Sequence, residues 1–206
     1  PAARVASLPD VLQAQDGSLV QLSYATLTGG TLTTSGSGVI RLPTSVTAIG
    51  GLENLGTLDI RGSTTLLGGT LTNHGSMLLG SGSSGANLNV SPGTVLAGGG
   101  TLSMSNSSSN SIASAGIGTG TLINELGHTI QGAGKIGSYG MALTNRGLIQ
   151  ANQGNALILA ESGVAANVTN EGTLRAAAGS TLQVNQNLTN FNATTHTLAG
   201  GRYEVL

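Results

Sequence analysis

The chain has 206 residues, 34 of them glycine, a formal net charge of −1 and neither cysteine nor tryptophan. So balanced a charge gives no electrostatic footprint for nucleic acid or for an acidic membrane surface, and one phenylalanine with three tyrosines offers few platforms for stacking single strands. Without cysteine there are no disulfide staples and no thiolate metal sites.

The chain starts Pro1-Ala2-Ala3-Arg4 without a methionine, which predicts a processed or excised piece whose export signal lay upstream or in another part of a longer polypeptide. No apolar run has the length of a membrane span. Residues 1–24 read as an irregular entry or partial cap: Val5 to Asp16 contains no glycine and could carry a helical turn after Pro9. A flexible terminus or a linker is the other reading of that stretch.

From Ala25 the texture becomes uniform. Short runs of alternating apolar and small polar residues, such as Gly38-Val39-Ile40-Arg41-Leu42 and Asn87-Leu88-Asn89-Val90, are broken by Gly, Asn and Ser. They are too short for helices and suit strands. A phrase of the form apolar-x-Asn-x-Gly recurs at Leu52–Gly56, Leu71–Gly75, Leu143–Gly147 and Val168–Gly172, with looser copies around Asn124 and Asn190. The steps between its asparagines are 19, 51, 21, 25 and 20 residues, and the long step spans about two ordinary ones with a degenerate copy between. A second phrase, apolar-x-Gly-[Gly/Ala], alternates with it at Leu27–Gly30, Leu66–Gly69, Leu96–Gly99, Ile130–Ala133 and Leu198–Gly201, and supplies corners with positive φ. Residues 105–120 are the least patterned and predict a Ser-rich loop bulging from the repeat.

A repeat of this period built from strand residues and glycine predicts a solenoid, one coil per repeat. The fold class expected is all-β: a parallel β-helix with roughly 20–25 residues per coil, a single unit over 25–206. With Asn at position zero, offsets −2, +4 and +6 are apolar in most copies (Leu52, Leu58 and Ile60; Leu71, Met77 and Leu79; Leu143, Ile149 and Ala151), and alternation points them inward. The Asn124 copy carries extra residues after Glu125, so Ile130 takes the +4 place. The asparagines should stack into a ladder, because each amide both donates and accepts. Offset +1 points outward and sets Arg146 between Glu125 and Glu171.

Chemistry-bearing patterns are sparse. His74, His128 and His196 form no ligand pair and are expected to be outward polar residues. The acidic residues lie mostly singly, without the facing carboxylates of polysaccharide hydrolysis; Asp59 and Arg61 suit a surface pair. Gly98-Gly99-Gly100 is followed by neither Lys-[Ser/Thr] nor a helix start, which excludes a phosphate loop. Outward Thr-x-Thr pairs do not recur at one offset, as an ice-binding face would need. No catalytic, cofactor-binding or metal-ligating residue is expected, and the chain is read as not an enzyme.

The stretches Gly98–Met104, Thr121–Gly137, Leu143–Ala151 and Val168–Ala176 resemble the repeats of large secreted bacterial surface proteins, the filamentous-haemagglutinin-like and autotransporter-passenger group. The resemblance covers roughly residues 25–206. It implies a right-handed winding, export from a Gram-negative-type cell, an extracellular or cell-surface location, and a stalk, adhesive or self-associating fibre role. Partners would be other copies of the chain, neighbouring coils of a longer chain, or host or matrix glycans, with no nucleic acid and no membrane insertion by this segment. The alternative is a carbohydrate-binding or carbohydrate-degrading β-helix of the tailspike kind.

Overall fold

The computed structural model describes residues 11–82, 85–160, 164 and 166–206. All its regular elements are strands, and all its strand pairs are parallel except Phe191–Asn192 with Thr197–Leu198. The chain turns three times per winding, and each strand pairs with its counterpart one winding on. One face is a sheet of nine strands that runs from Leu19–Gln21 to Arg202–Val205. The other two faces join into a single sheet because the strands Thr26–Thr34 and Val46–Asn54 continue round a corner, the first of them bending at Gly29-Gly30, where φ is 62° and 87°. Only glycine enters that region freely. The result is a parallel β-solenoid.

Register holds the inward columns in line. On the nine-stranded face Ile40, Leu58, Met77, Leu102, Ile130, Ile149 and Leu174 follow one another, each paired with the next, and all are buried. Ile130 does occupy the +4 place of its copy. The apolar core is one continuous column from Ala14 to Leu174, with no need of large rings. Each winding buries only a handful of small or aliphatic side chains, for example Leu32, Ile40, Leu42, Val46 and Ala48 in one of them, so its stability is shared with its neighbours.

The boundaries differ from the sequence expectation in two places. The repeat is already in place at Val11, ahead of Ala25: Val11–Ala14 pairs in register with Thr31–Thr34, and Leu19–Gln21 with Val39–Arg41. Leu12 and Ala14 alternate with exposed Val11 and Gln13, a strand period where a helical turn was expected; residues 1–10 of that entry lie outside the described residues. Likewise 105–120 is not one loop. Ser111–Ser114 is a strand paired on both sides, with Ile112 fully buried, and only the flanking segments leave the stack. The C-terminal coil departs as well, since the chain after Leu188 swings into the antiparallel pair before Arg202–Val205 rejoins the nine-stranded face.

The glycine of the Asn-x-Gly phrase answers to space. Gly56, Gly75, Gly147 and Gly172 lack positive φ, but a Cβ on Gly75 would stand 2.1 Å from the Gly56 carbonyl oxygen, one on Gly147 2.2 Å from that of His128, and one on Gly172 2.2 Å from that of Gly147. At this corner successive windings pack backbone on backbone. Gly172→Ala is therefore expected to lower stability by about 1–3 kcal/mol. Gly99→Ala, where no atom lies within 4 Å of the added carbon, should change it by less than about 0.5 kcal/mol. Chemical denaturation of the two variants beside the parent chain measures both.

Candidate functional site

Beside the glycine corner runs a file of fully buried asparagines, as the sequence predicts. Asn54 Nδ2 donates to Asn73 Oδ1 at 2.7 Å, Asn124 Nδ2 to Asn145 Oδ1 at 2.8 Å, and Asn145 Nδ2 to Asn170 Oδ1 at 2.8 Å. Asn190 does not continue the file. Its Oδ1 accepts the Asn170 backbone N–H and its Nδ2 donates to the Ala199 carbonyl, because the chain leaves the stack there.

Between Asn73 and Asn124 lies the degenerate winding, which has no asparagine at this corner and whose Leu96 pairs with Asn124. Ala97 pairs with Thr72, so Gly98 holds the place opposite Asn73. The gap is closed by His128, which is 0% exposed. Its Nε2 is 3.2 Å from Asn73 Nδ2 and its Nδ1 is 2.7 Å from Asn124 Oδ1. His128 was expected on the surface. It is inside because the corner after Asn124 is two residues longer than the others: His128 takes the place of the corner glycine, opposite Gly147, and sends its ring inward.

This contact fixes the tautomer. A neutral imidazole has one donor and one acceptor nitrogen. With Nδ1–H donating to Asn124 and Nε2 accepting from Asn73, every member from Asn54 to Asn170 donates in one direction. Turning the Asn73 amide would let it donate to the Gly75 carbonyl at 3.3 Å and accept the Thr101 N–H at 3.1 Å, at the cost of setting its nitrogen 2.7 Å from Asn54 Nδ2 and an oxygen against both ring nitrogens, an arrangement that calls for an imidazolium. Asn54 is itself held by donation to the Gly56 carbonyl at 3.2 Å and acceptance of the Gly56 N–H at 3.3 Å. Burial lowers the His128 pKa to about 4, which keeps the ring neutral and the amide as described.

Outside, the charged residues gather in small sets. Arg146 lies between two glutamates as expected, its Nη1 2.8 Å from Glu125 and its Nε 2.9 Å from Glu171; the hydrogen bonds it donates to Glu171 and then to Glu125 raise its pKa. Asp59 pairs with Arg61 at 2.8 Å and also with Arg41 at 2.9 Å, and the two guanidinium groups leave it nearly buried. Asp16 is held below the usual carboxylate range by the backbone N–H of Ser37 and then its hydroxyl. His74 lies 3.8 Å from Glu53 and His196 packs its ring near Phe191, both away from His128. Among the described residues no three His, Asp or Glu side chains converge as metal ligands, and no helix is long and apolar enough to cross a membrane.

Larger open hollows of about 540 and 530 Å³ lie at the Arg146 corner and beside Phe191, and the third face bears a pair that adjoin. Two adjoining hollows of about 380 and 360 Å³ share Asn89 and Tyr139. Their floor is made of outward residues on successive windings: Thr65, Asn89, Ala113 and Ser138 pair in series. The two halves of 105–120 form the flanks. No protein-family model matches the chain, and neither the curated proteins nor the solved structures contain a significant match to it.

Two outcomes follow from the spine and the corner. A folded-state His128 pKa of about 4 against about 6.5 unfolded means the unfolded chain binds the extra proton first as pH falls. The contribution is complete above pH 6.5 and is lost between there and pH 4, on the order of 3 kcal/mol. Thermal melts across that range should show the decline, and His128→Leu, less stable at pH 7 because two buried amides lose a partner, should show a flatter one. Arg146→Ala should lower the melting temperature far less than Gly172→Ala, and added salt should erase the small Arg146 effect while leaving that of Gly172→Ala.

Proposed function

We propose that this chain is a rigid segment of a secreted or cell-surface bacterial protein, acting as a stalk or adhesive module. The observation that carries the reading is the continuity of the stack. Each winding bonds to the next along three faces and keeps an aliphatic interior, even across the two-residue slip that sets Leu96 opposite Asn124, where His128 joins the two runs of buried amides, so length is added by adding windings. Such a body keeps a fixed spacing between whatever lies at its two ends. Its outward side chains are mostly Thr, Ser, Asn and Gln, which suit an exposed surface, and its Asn-x-Gly corners resemble those of secreted bacterial surface repeats. Neighbouring coils of a longer chain and matrix glycans are the partners this role implies.

The experiment is labelling of the source bacterium with antibody raised against the folded solenoid. Intact cells should label as strongly as permeabilised ones. Labelling confined to permeabilised cells would overturn the surface role.

A further inference from the structure

We propose that the groove on the third face binds a short neutral oligosaccharide, with Tyr139 as its stacking platform. The inference rests on the surface role above and names the ligand class for it. Four features of the groove point the same way.

The first is its floor. Asn89 and Thr65 present amide and hydroxyl groups on neighbouring windings, the buried Ala113 and Ser138 continue the row as a dip, and Lys135 adds a long donor at the edge of the same hollow. Four such windings span about 14 Å at the interstrand spacing, the length of a short sugar chain. The amide and hydroxyl groups both donate and accept, as ring hydroxyls do. Ser111 lies on the same floor with its Oγ shielded from solvent and without a hydrogen-bond partner among the described residues.

The second is a break in register. Ile112 pairs with Ile136, but Ala113 pairs with Ser138, so Gly137 is an extra residue, with φ 99°. A bulge of this kind re-aims the side chains that follow it. Here these are Ser138 and Tyr139, and the bulge brings both to the groove.

The third is the conformation of Tyr139. Its φ is 57°, a region a bulky side chain seldom adopts, and the residue is 62% exposed. Strain of this kind persists only where the surrounding structure fixes it, here through the bulge at Gly137 and the bond from the Gly118 N–H to the Tyr139 carbonyl. Tyr24 shares the backbone conformation and the exposure but lines neither hollow, so it serves as an internal control.

The fourth is bracing of both flanks. The Gly118 N–H donates to the Tyr139 carbonyl at 2.8 Å, which ties segment 115–120 to the tyrosine. On the other side, Asn155 donates its backbone N–H to Asn106 Oδ1 at 2.8 Å and its Nδ2 to the Asn106 carbonyl at 3.1 Å. Each segment is anchored to a later winding, so the flanks are set before any ligand arrives. Ile117, 74% exposed, adds an apolar edge beside the ring, suited to the C–H face of a sugar.

The test is saturation-transfer NMR of the whole chain with chitotriose, cellotriose and maltotriose as probes. At least one should receive saturation from the parent protein. Tyr139→Asn keeps a residue that tolerates positive φ and should weaken that binding by about tenfold or more. Tyr139→Phe should retain it, and Tyr24→Asn should leave it unchanged, with melting temperatures confirming that all three fold. No transfer to any probe, or equal binding by Tyr139→Asn and the parent chain, would overturn the site. The surface role is judged separately: cells that label intact while the protein binds none of the probes would remove the groove alone, and binding by a protein labelled only after permeabilisation would remove the surface role alone.

Discussion

Every residue of this solenoid is constrained by the residue one winding away. Strands in a sheet lie about 4.8 Å apart, and here that spacing also separates successive copies of the repeat. A side chain chosen at one level must therefore pack on its own counterpart above and below. Aliphatic residues meet the condition by forming columns such as Leu58, Met77 and Leu102. Glycine meets it at the Asn-x-Gly corner, where the backbone of one winding occupies the space a Cβ on the next would need. The repeat is thus the signature of self-contact, and it survives even where the intervening loops change in length.

The same condition explains why a histidine belongs in a file of asparagines. A buried amide stacked on another amide donates upward and accepts from below. If one winding lacks it, the neighbours on either side are left with a buried donor and a buried acceptor, each costly in a dry core. A replacement from the next winding must cross two spacings and offer one group of each kind at its two ends. Neutral imidazole does both, as Nδ1 and Nε2 of His128 show. An aliphatic residue would fill space without joining the chain, and an imidazolium would present two donors where the file supplies one acceptor and one donor. Burial that disfavours the charged form thus preserves the direction of the whole file.

How far the sequence revealed this varies with how local each cause is. The inward columns were legible because alternation and offset from Asn are properties of one short phrase, and Arg146 was legible because it shares an offset with Glu171. The strands ahead of Ala25 were obscured by the scarcity of glycines among them, although Leu12 and Ala14 already alternate with Val11 and Gln13. Ser111–Ser114 was obscured by the serines around it, since Ile112 is the only large aliphatic residue in that strand. His128 was the hardest. Its role depends on three facts far apart in the chain: no asparagine at Gly98, a corner after Asn124 that is two residues too long, and an imidazole at its end. Each looks like noise alone. The doubled step from Asn73 to Asn124 was the available signal, and it pointed to a gap without saying what filled it.

The groove on the third face follows from a freedom that the core lacks. Because windings are held through backbone bonds and inward columns, an outward residue can change without disturbing the stack, and a loop can grow at a corner provided the next strand resumes register. Most of the surface uses that freedom only for short polar side chains. At Gly137 the register itself yields by one residue, yet Ile136 and Leu159 stay paired and buried on the inner side. The disturbance is therefore confined to the outer side, where it lifts Ser138 and Tyr139 between two segments that are each tied to a later winding. A fold whose interior tolerates so little variation concentrates its individuality in such places, and the outward faces are where its binding chemistry is to be sought.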